Sequence, residues 1–126
     1  MTIEQKIFSA WSGDATATAL VPAAQFKPAG SWQNVPAPYV INFPVGEKPI
    51  RTIREGVTAL RIYTWQFSVF AQSASQARTI LNKLRSLFDG NLSGFNFQHQ
   101  GERFVDESPD MTLVLYTSDF LVTTVE

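Results

Sequence analysis

The sequence predicts an α+β fold: an antiparallel sheet of about four to six strands packed against two helices, in a single domain spanning residues 1–126. Two patterns carry this prediction. Residues 61–69 alternate strictly, with Arg61, Tyr63, Trp65, Phe67 and Val69 on one face and Ile62, Thr64, Gln66 and Ser68 on the other, which is the two-residue period of a strand. Beyond them the period lengthens to that of a helix: Ala74, Ala77, Ile80, Leu81, Leu84, Leu87 and Phe88 form one stripe, with Arg78, Lys83 and Arg85 off it. Such a stripe needs a sheet to cover. A third observation sets the scale: 126 residues, 44% of them hydrophobic and 13% aromatic, supply one core at roughly 100–200 residues per domain.

From the N-terminus, Ile3, Ile7, Phe8 and Trp11 line one face of a short helix that Ser12-Gly13-Asp14 ends. Asp14 is placed to cap a further helical turn before Pro22 stops it. Four prolines between Pro22 and Pro38, with Gly30, Ser31 and Asn34 among them, make 22–37 an extended, proline-rich connection. Trp32 inside it either clamps the loop to the core or offers a partner an anchor. Tyr39 to Phe43 reads as a strand started from proline, with Pro44 its end or the mark of an edge. Residues 45–57, with Glu47, Lys48, Arg51, Arg54 and Glu55, read as a charged protruding loop. Ser73 followed by Gln76 fits a capping box for the main helix, and Gly90 fits its stop. Phe95 and Phe97 alternate with Asn96 and Gln98, Gly101 suggests a turn, and Arg103-Phe104-Val105 then returns as the second arm of a hairpin. Residues 111–125, rich in Thr, Val, Leu, Tyr and Phe, form one long or bent strand.

The overall charge of −1 conceals an asymmetry. Residues 1–40 are neutral. Residues 41–90 carry seven basic residues (Lys48, Arg51, Arg54, Arg61, Arg78, Lys83, Arg85) against Glu47, Glu55 and Asp89, a net +4. Residues 91–126 carry Arg103 against six acids (Glu102, Asp106, Glu107, Asp110, Asp119, Glu126), a net −5. Scattered surface charge produces such patterns, and so does head-to-tail assembly, in which opposite patches meet on neighbouring subunits.

The sequence offers little chemistry. With no cysteine there is no disulfide framework, thiolate nucleophile or cysteine zinc site. No G-x-S-x-G, G-x-x-x-x-G-K-[ST], G-x-G-x-x-G or H-E-x-x-H occurs. The lone His99 reads as a surface histidine beside a turn. With Glu102 and Asp106 it defines a rival reading as a small hydrolase or isomerase. The expectation is no enzyme, no catalytic or metal residues and no cofactor. Tyr63, Trp65 and Phe67 invite base stacking, but their alternation beside an amphipathic helix points to core packing. The absence of a run of about 18 apolar residues and of a basic start leading into an apolar stretch predicts a soluble, unsecreted chain with no membrane partner.

The order of elements resembles the tail-completion, or tail-terminator, family of long-tailed bacteriophages and prophages. The resemblance rests on an N-terminal helix, the segment Thr18-Ala19-Leu20-Val21, a proline-rich connection and the strand opening Pro38-Tyr39-Val40. It continues through the charged segment Lys48 to Gly56, the aromatic strand Arg61 to Ala71 and the helix Ser73 to Leu87 with its Ser75-Gln76-Ala77. It covers roughly residues 3–90. It implies a virion protein that forms a ring, hexameric in the family, at the head-proximal end of the tail tube. There it ends tail growth and joins the tube protein to the head connector, assembled in the bacterial cytoplasm, with nonspecific contact to DNA passing through the lumen. Charge alone assigns roles: Lys48, Arg51 and Arg54 to the lumen or a partner ring, and Glu102, Asp106, Glu107 and Asp110 to basic groups of a neighbouring subunit. The alternative is a monomeric or dimeric α+β module binding a ligand or peptide on its sheet face or at Trp32.

Overall fold

The computed structural model describes residues 2–28, 37–50, 60–92, 94–107 and 113–125. Helices α1 (Ile3–Ser12) and α2 (Ala15–Leu20) lead through a 3-10 turn (Ala23–Gln25) into β1 (Phe26–Pro28). Strands β2 (Tyr39–Ile50) and β3 (Leu60–Ala71), helix α3 (Ala74–Phe88), and strands β4 (Gly90–Leu92), β5 (Phe95–Glu107) and β6 (Val114–Val125) follow. The strands form one sheet in the order β1-β2-β3-β6-β5-β4. All neighbours are antiparallel except β1 and β2, which pair in parallel. The α+β expectation holds, with a parallel edge strand that the sequence reading placed inside the proline-rich connection.

The caps explain where the helices start. Asp14 Oδ1 accepts the Ala17 N–H at 2.9 Å, and Ser73 Oγ accepts that of Gln76 at 3.1 Å, satisfying donors that a helix leaves unpaired. The Gln76 carboxamide reaches back one residue further than in a standard box, accepting from the Gln72 N–H at 2.8 Å. Thr2 and Gln5 form a full reciprocal box on α1, at 2.9 and 3.2 Å. Phe8 does not join the buried face of α1. Ile7 and Trp11 are buried there, and Phe8, one residue and about 100° around the helix from Ile7, is exposed.

Two sequence expectations are corrected. Strand β2 does not stop at Pro44: it continues to Ile50, so the charged loop expected over 45–57 begins as paired strand, and residues 51–59 lie outside the described ones. Val45 is an extra residue, since Pro44 opposes Trp65 and Gly46 opposes Thr64. Such a bulge lets an edge strand carry proline. The hairpin expected around Gly101 is instead one continuous strand, β5, bulged between His99 and Gly101 and between Phe104 and Asp106. The chain reverses earlier, at Gly94, whose φ of 93° favours glycine.

All three helices lie on one face of the sheet, α3 across β3, β6 and β5 and α1 against β1 and α2. A continuous aromatic column joins the layers. The Trp11 ring stacks on Phe26 at 4.7 Å, Phe67 meets Phe88 of α3 at 5.1 Å and Phe120 edge-on at 5.5 Å, and Phe97 lies 5.9 Å from Phe88. Trp11 Nε1–H donates to the Val21 carbonyl at 2.9 Å, and Trp65 Nε1–H to Asn42 Oδ1 at 3.2 Å. The Asn42 amide in turn donates to the Lys27 carbonyl at 3.2 Å, so this buried carboxamide ties β1, β2 and β3 together with its polar atoms satisfied. Trp65 and Phe67 are therefore core residues, as expected, and not a stacking platform.

Phe67→Ala should lower the unfolding free energy by about 3–5 kcal/mol through loss of contacts and a residual cavity, read from urea melts monitored by tryptophan fluorescence. A second expectation concerns acid. The Ala17 N–H, aided by Lys83 Nζ at 3.2 Å, holds the Asp14 carboxyl below its ordinary range against the opposing effect of burial. Its contribution is fully present above the unfolded carboxylate value of about 3.9 and is lost as pH falls through the lower folded value. Asp14→Asn, which keeps the cap but not the charge, should flatten this part of the stability–pH curve measured between about pH 2 and 5.

Candidate functional site

The charged residues singled out by sequence fall into two groups that the sheet order separates. Lys48 lies on β2, its backbone opposite Ile62 of β3. Arg51 and Arg54 lie outside the described residues, as do Asp110 and Trp32. Glu102, Asp106 and Glu107 all lie on β5, opposite Ser118, Leu115 and Val114 of β6. Strands β3 and β6 stand between β2 and β5, which at about 4.8 Å per strand puts the two groups roughly 14 Å apart across the sheet. The acidic group is gathered on one strand, but the hairpin once expected to carry it is absent.

Because β5 is continuous, His99 is not the exposed turn histidine that the sequence suggested. Its backbone N–H donates to Asp89 Oδ1 at 3.2 Å, its ring meets Phe120 edge-on at 5.2 Å, and Nε2 lies 3.3 Å from Glu102 Oε1. The bulge at Gln100 makes this pairing: by shifting the register one residue, it puts His99 and Glu102 on the same face. Sequence alternation from Phe95 through Phe97 to His99 carried the signal for a continuous strand. Glycine at 101 masked it.

This cluster does not form a nucleophilic site. Ser118 stands opposite Glu102 in register, but its Oγ is completely buried and has no hydrogen-bond partner among the described residues. Asp119 points to the other face of the sheet, where Arg103 Nε donates to Thr117 Oγ1 at 3.1 Å. Beside the cluster, a hollow of about 240 Å³ is lined by Arg78, Leu81, Glu102, Arg103, Phe104 and Tyr116. It lies below the roughly 300–1,000 Å³ usual for a ligand pocket. Among the described residues no group of three His, Asp or Glu side chains could hold a metal ion, and no helix is long and apolar enough to cross a membrane.

Comparison with known proteins adds the fold. No known family model matches the sequence, and no curated protein does. Among solved structures, a chain of the virion of a native gene transfer agent particle shares the fold with a TM-score of 0.68. The match covers 98% of this chain and 95% of that one, at 14% identity.

Ser118→Ala removes a buried hydroxyl that has no described partner. It should leave stability unchanged or raise it by about 1 kcal/mol, measured as the shift in urea midpoint, whereas a hydroxyl serving a structural hydrogen bond would lose a comparable amount.

Proposed function

We propose that this chain is a structural protein of a phage-like virion that forms a ring at the head-proximal end of a tail tube, ending tube growth and joining the tube to the head connector. The observation that carries this reading is the whole-chain likeness of fold to a component of a gene transfer agent virion. The hollows among the described residues include open ones of about 240 Å³ beside Arg78 and Glu102 and about 470 Å³ beside Phe8 and Pro28. Two features support the reading. The element order resembles the tail-terminator family over residues 3–90. Basic Lys48 and acidic Glu102, Asp106 and Glu107 stand on separate strands towards opposite ends of one sheet, the arrangement a head-to-tail contact needs.

In this reading the ring is hexameric, its partners are the tail tube protein and the head connector, and it sits at the head-proximal end of the tail after assembly in the bacterial cytoplasm. Lys48, Arg51 and Arg54 face the lumen, where DNA passes, or a partner ring. Glu102, Asp106, Glu107 and Asp110 face basic groups of a neighbour. The protein acts by shape and charge, without a chemical step or cofactor.

Reversing charge at Arg51 and Arg54 together should leave the melting temperature of the isolated chain within a few degrees of the parent, yet reduce the yield of head-joined tails counted by electron microscopy. Normal joining by the reversed protein would remove that segment from the assembly surface.

A further inference from the structure

Two hollows flank the helical layer, and the strand register sets them at one height. The first, of about 470 Å³, lies between α1 and the end of β1, lined by Glu4, Gln5, Phe8, Ser9 and Pro28. The second, of about 240 Å³, lies between α3 and the β5–β6 pair, lined by Arg78, Leu81, Glu102, Arg103, Phe104 and Tyr116. Across five strands the register runs Pro28, Asn42, Phe67, Ser118, Glu102, so each hollow includes one end of the same row. The middle three of these side chains are buried beneath the helices, which puts the row on the helical side of the sheet. Strand β4 reaches only Phe95–Phe97. At the height of the row, β1 and β5 are therefore the outermost described strands, roughly 19 Å apart at about 4.8 Å per step.

Each hollow has an exposed phenylalanine at its side. Phe104 is 53% exposed and Phe8 41%, and exposed apolar groups gathered at a hollow mark contact surfaces. Phe104 lies on the helical side, its ring edge-on to Tyr116 at 5.3 Å, but α3, packed over β3, β6 and β5, leaves it uncovered. Phe8 stands on the flank of α1 towards Pro28, one turn beyond Glu4, so the two side chains share that flank. Lys6 is turned to the opposite flank, its Nζ 4.8 Å from the centre of the Phe95 ring. Among the described residues neither Glu4 nor Arg78 has an ion-pair partner.

We infer that these margins are the two halves of one contact between copies of this chain: the Phe8 flank of α1 in one subunit seats in the hollow between α3 and Phe104 of the next. Phe104 in turn enters the hollow beside Pro28. This rests on the ring reading above and assigns it a surface. A second copy fits for two reasons. The margins lie at the same height and on the same side of the sheet, so a copy shifted sideways brings one against the other with its helices still on the same side. Their charges are also complementary. Glu4 is the one ionisable group lining the α1 hollow, whereas the other rim carries the guanidinium groups of Arg78 and Arg103 against one carboxylate, Glu102, which lies 3.3 Å from His99 Nε2. Two α1 margins meeting each other would offer Glu4 no cation and set it against another carboxylate, which like charge disfavours. An anchoring aromatic in a small hollow with a charged rim is the usual centre of a protein contact. The contact is heterologous, so repetition of it closes a ring or runs on as a filament.

The absence of cysteine makes cross-linking specific. Ser9→Cys beside Phe8, Val105→Cys beside Phe104 and the double variant leave both phenylalanines in place. They would be checked for parental melting temperature, treated with a short bismaleimide and run on denaturing gels beside light scattering of the untreated proteins. The double variant should give a ladder of covalent multimers ending at the subunit number of the ring. A mixture of the two single variants should give a covalent dimer only, and each single variant alone should stay monomeric on the gel. A dimer from either single variant alone, or oligomers in solution with no ladder from the double variant, overturns the docking while leaving the ring reading standing. A strict monomer by light scattering overturns both. As an independent arm, Phe8→Ser should weaken self-association about tenfold or more at a parental melting temperature, and unchanged self-association overturns the docking. Glu4→Arg and Arg78→Glu should each weaken it and together restore it; failure of the pair to restore it overturns the docking as well.

Discussion

Phe67 of β3 and Phe88 of α3 stand 5.1 Å apart at the centre of the molecule, and the remaining structure is arranged around their contact. Phe120 closes on Phe67 from β6, Phe97 on Phe88 from β5, and Phe26 stacks between Phe88 and Trp11, carrying α1 and β1 into the same column. Aromatic rings contribute large buried area with defined geometry. A column built from four strands and two helices therefore locks the helical layer to one face of the sheet. The opposite face has Tyr39 stacked on Phe70 at 4.5 Å, with burial raising the Tyr39 hydroxyl above its ordinary pKa, and no described helix over it.

That one-sided construction determines which surfaces remain for function. Among the described residues no helix lies on that second face, and the outer strands β1 and β4 pair with only three residues each of their neighbours. The residues with chemical potential, His99, Glu102 and Ser118, are spaced along β5 and β6, with the hydroxyl fully buried and His99 Nε2 3.3 Å from Glu102 Oε1 without a hydrogen bond between them. Their arrangement follows from a bulge that keeps a charged strand in register with a buried one. The charge asymmetry of the sequence acquires meaning only through topology, because β3 and β6 come between the strand of Lys48 and the strand of Glu102, Asp106 and Glu107.

Elements with a strong period were legible in the sequence. Strand β3 and helix α3 follow from alternation and from the stripe Ala77, Ile80, Leu81, Leu84 and Phe88, all buried, and the Asp14 and Ser73 caps follow from residue type. What escaped was non-local. Pro44 and Gly101 usually end strands, but a bulge at Val45 and another at Gln100 absorb them, and a bulge is stabilised by pairing partners distant in sequence. Strand β1 has only three residues and exists because β2 accepts it. The His99–Glu102 pair was hidden by the same misread glycine, and the common height of the two hollows at the sheet margins could be recognised only once strand order was known.

The central claim is that this small one-sided sheet works as an assembly unit. Light-scattering mass over a concentration series, repeated across salt, tests it most directly. A closed oligomer of fixed subunit number that loosens as salt screens its contacts is the predicted result. A monomer at every concentration and every salt would contradict the account.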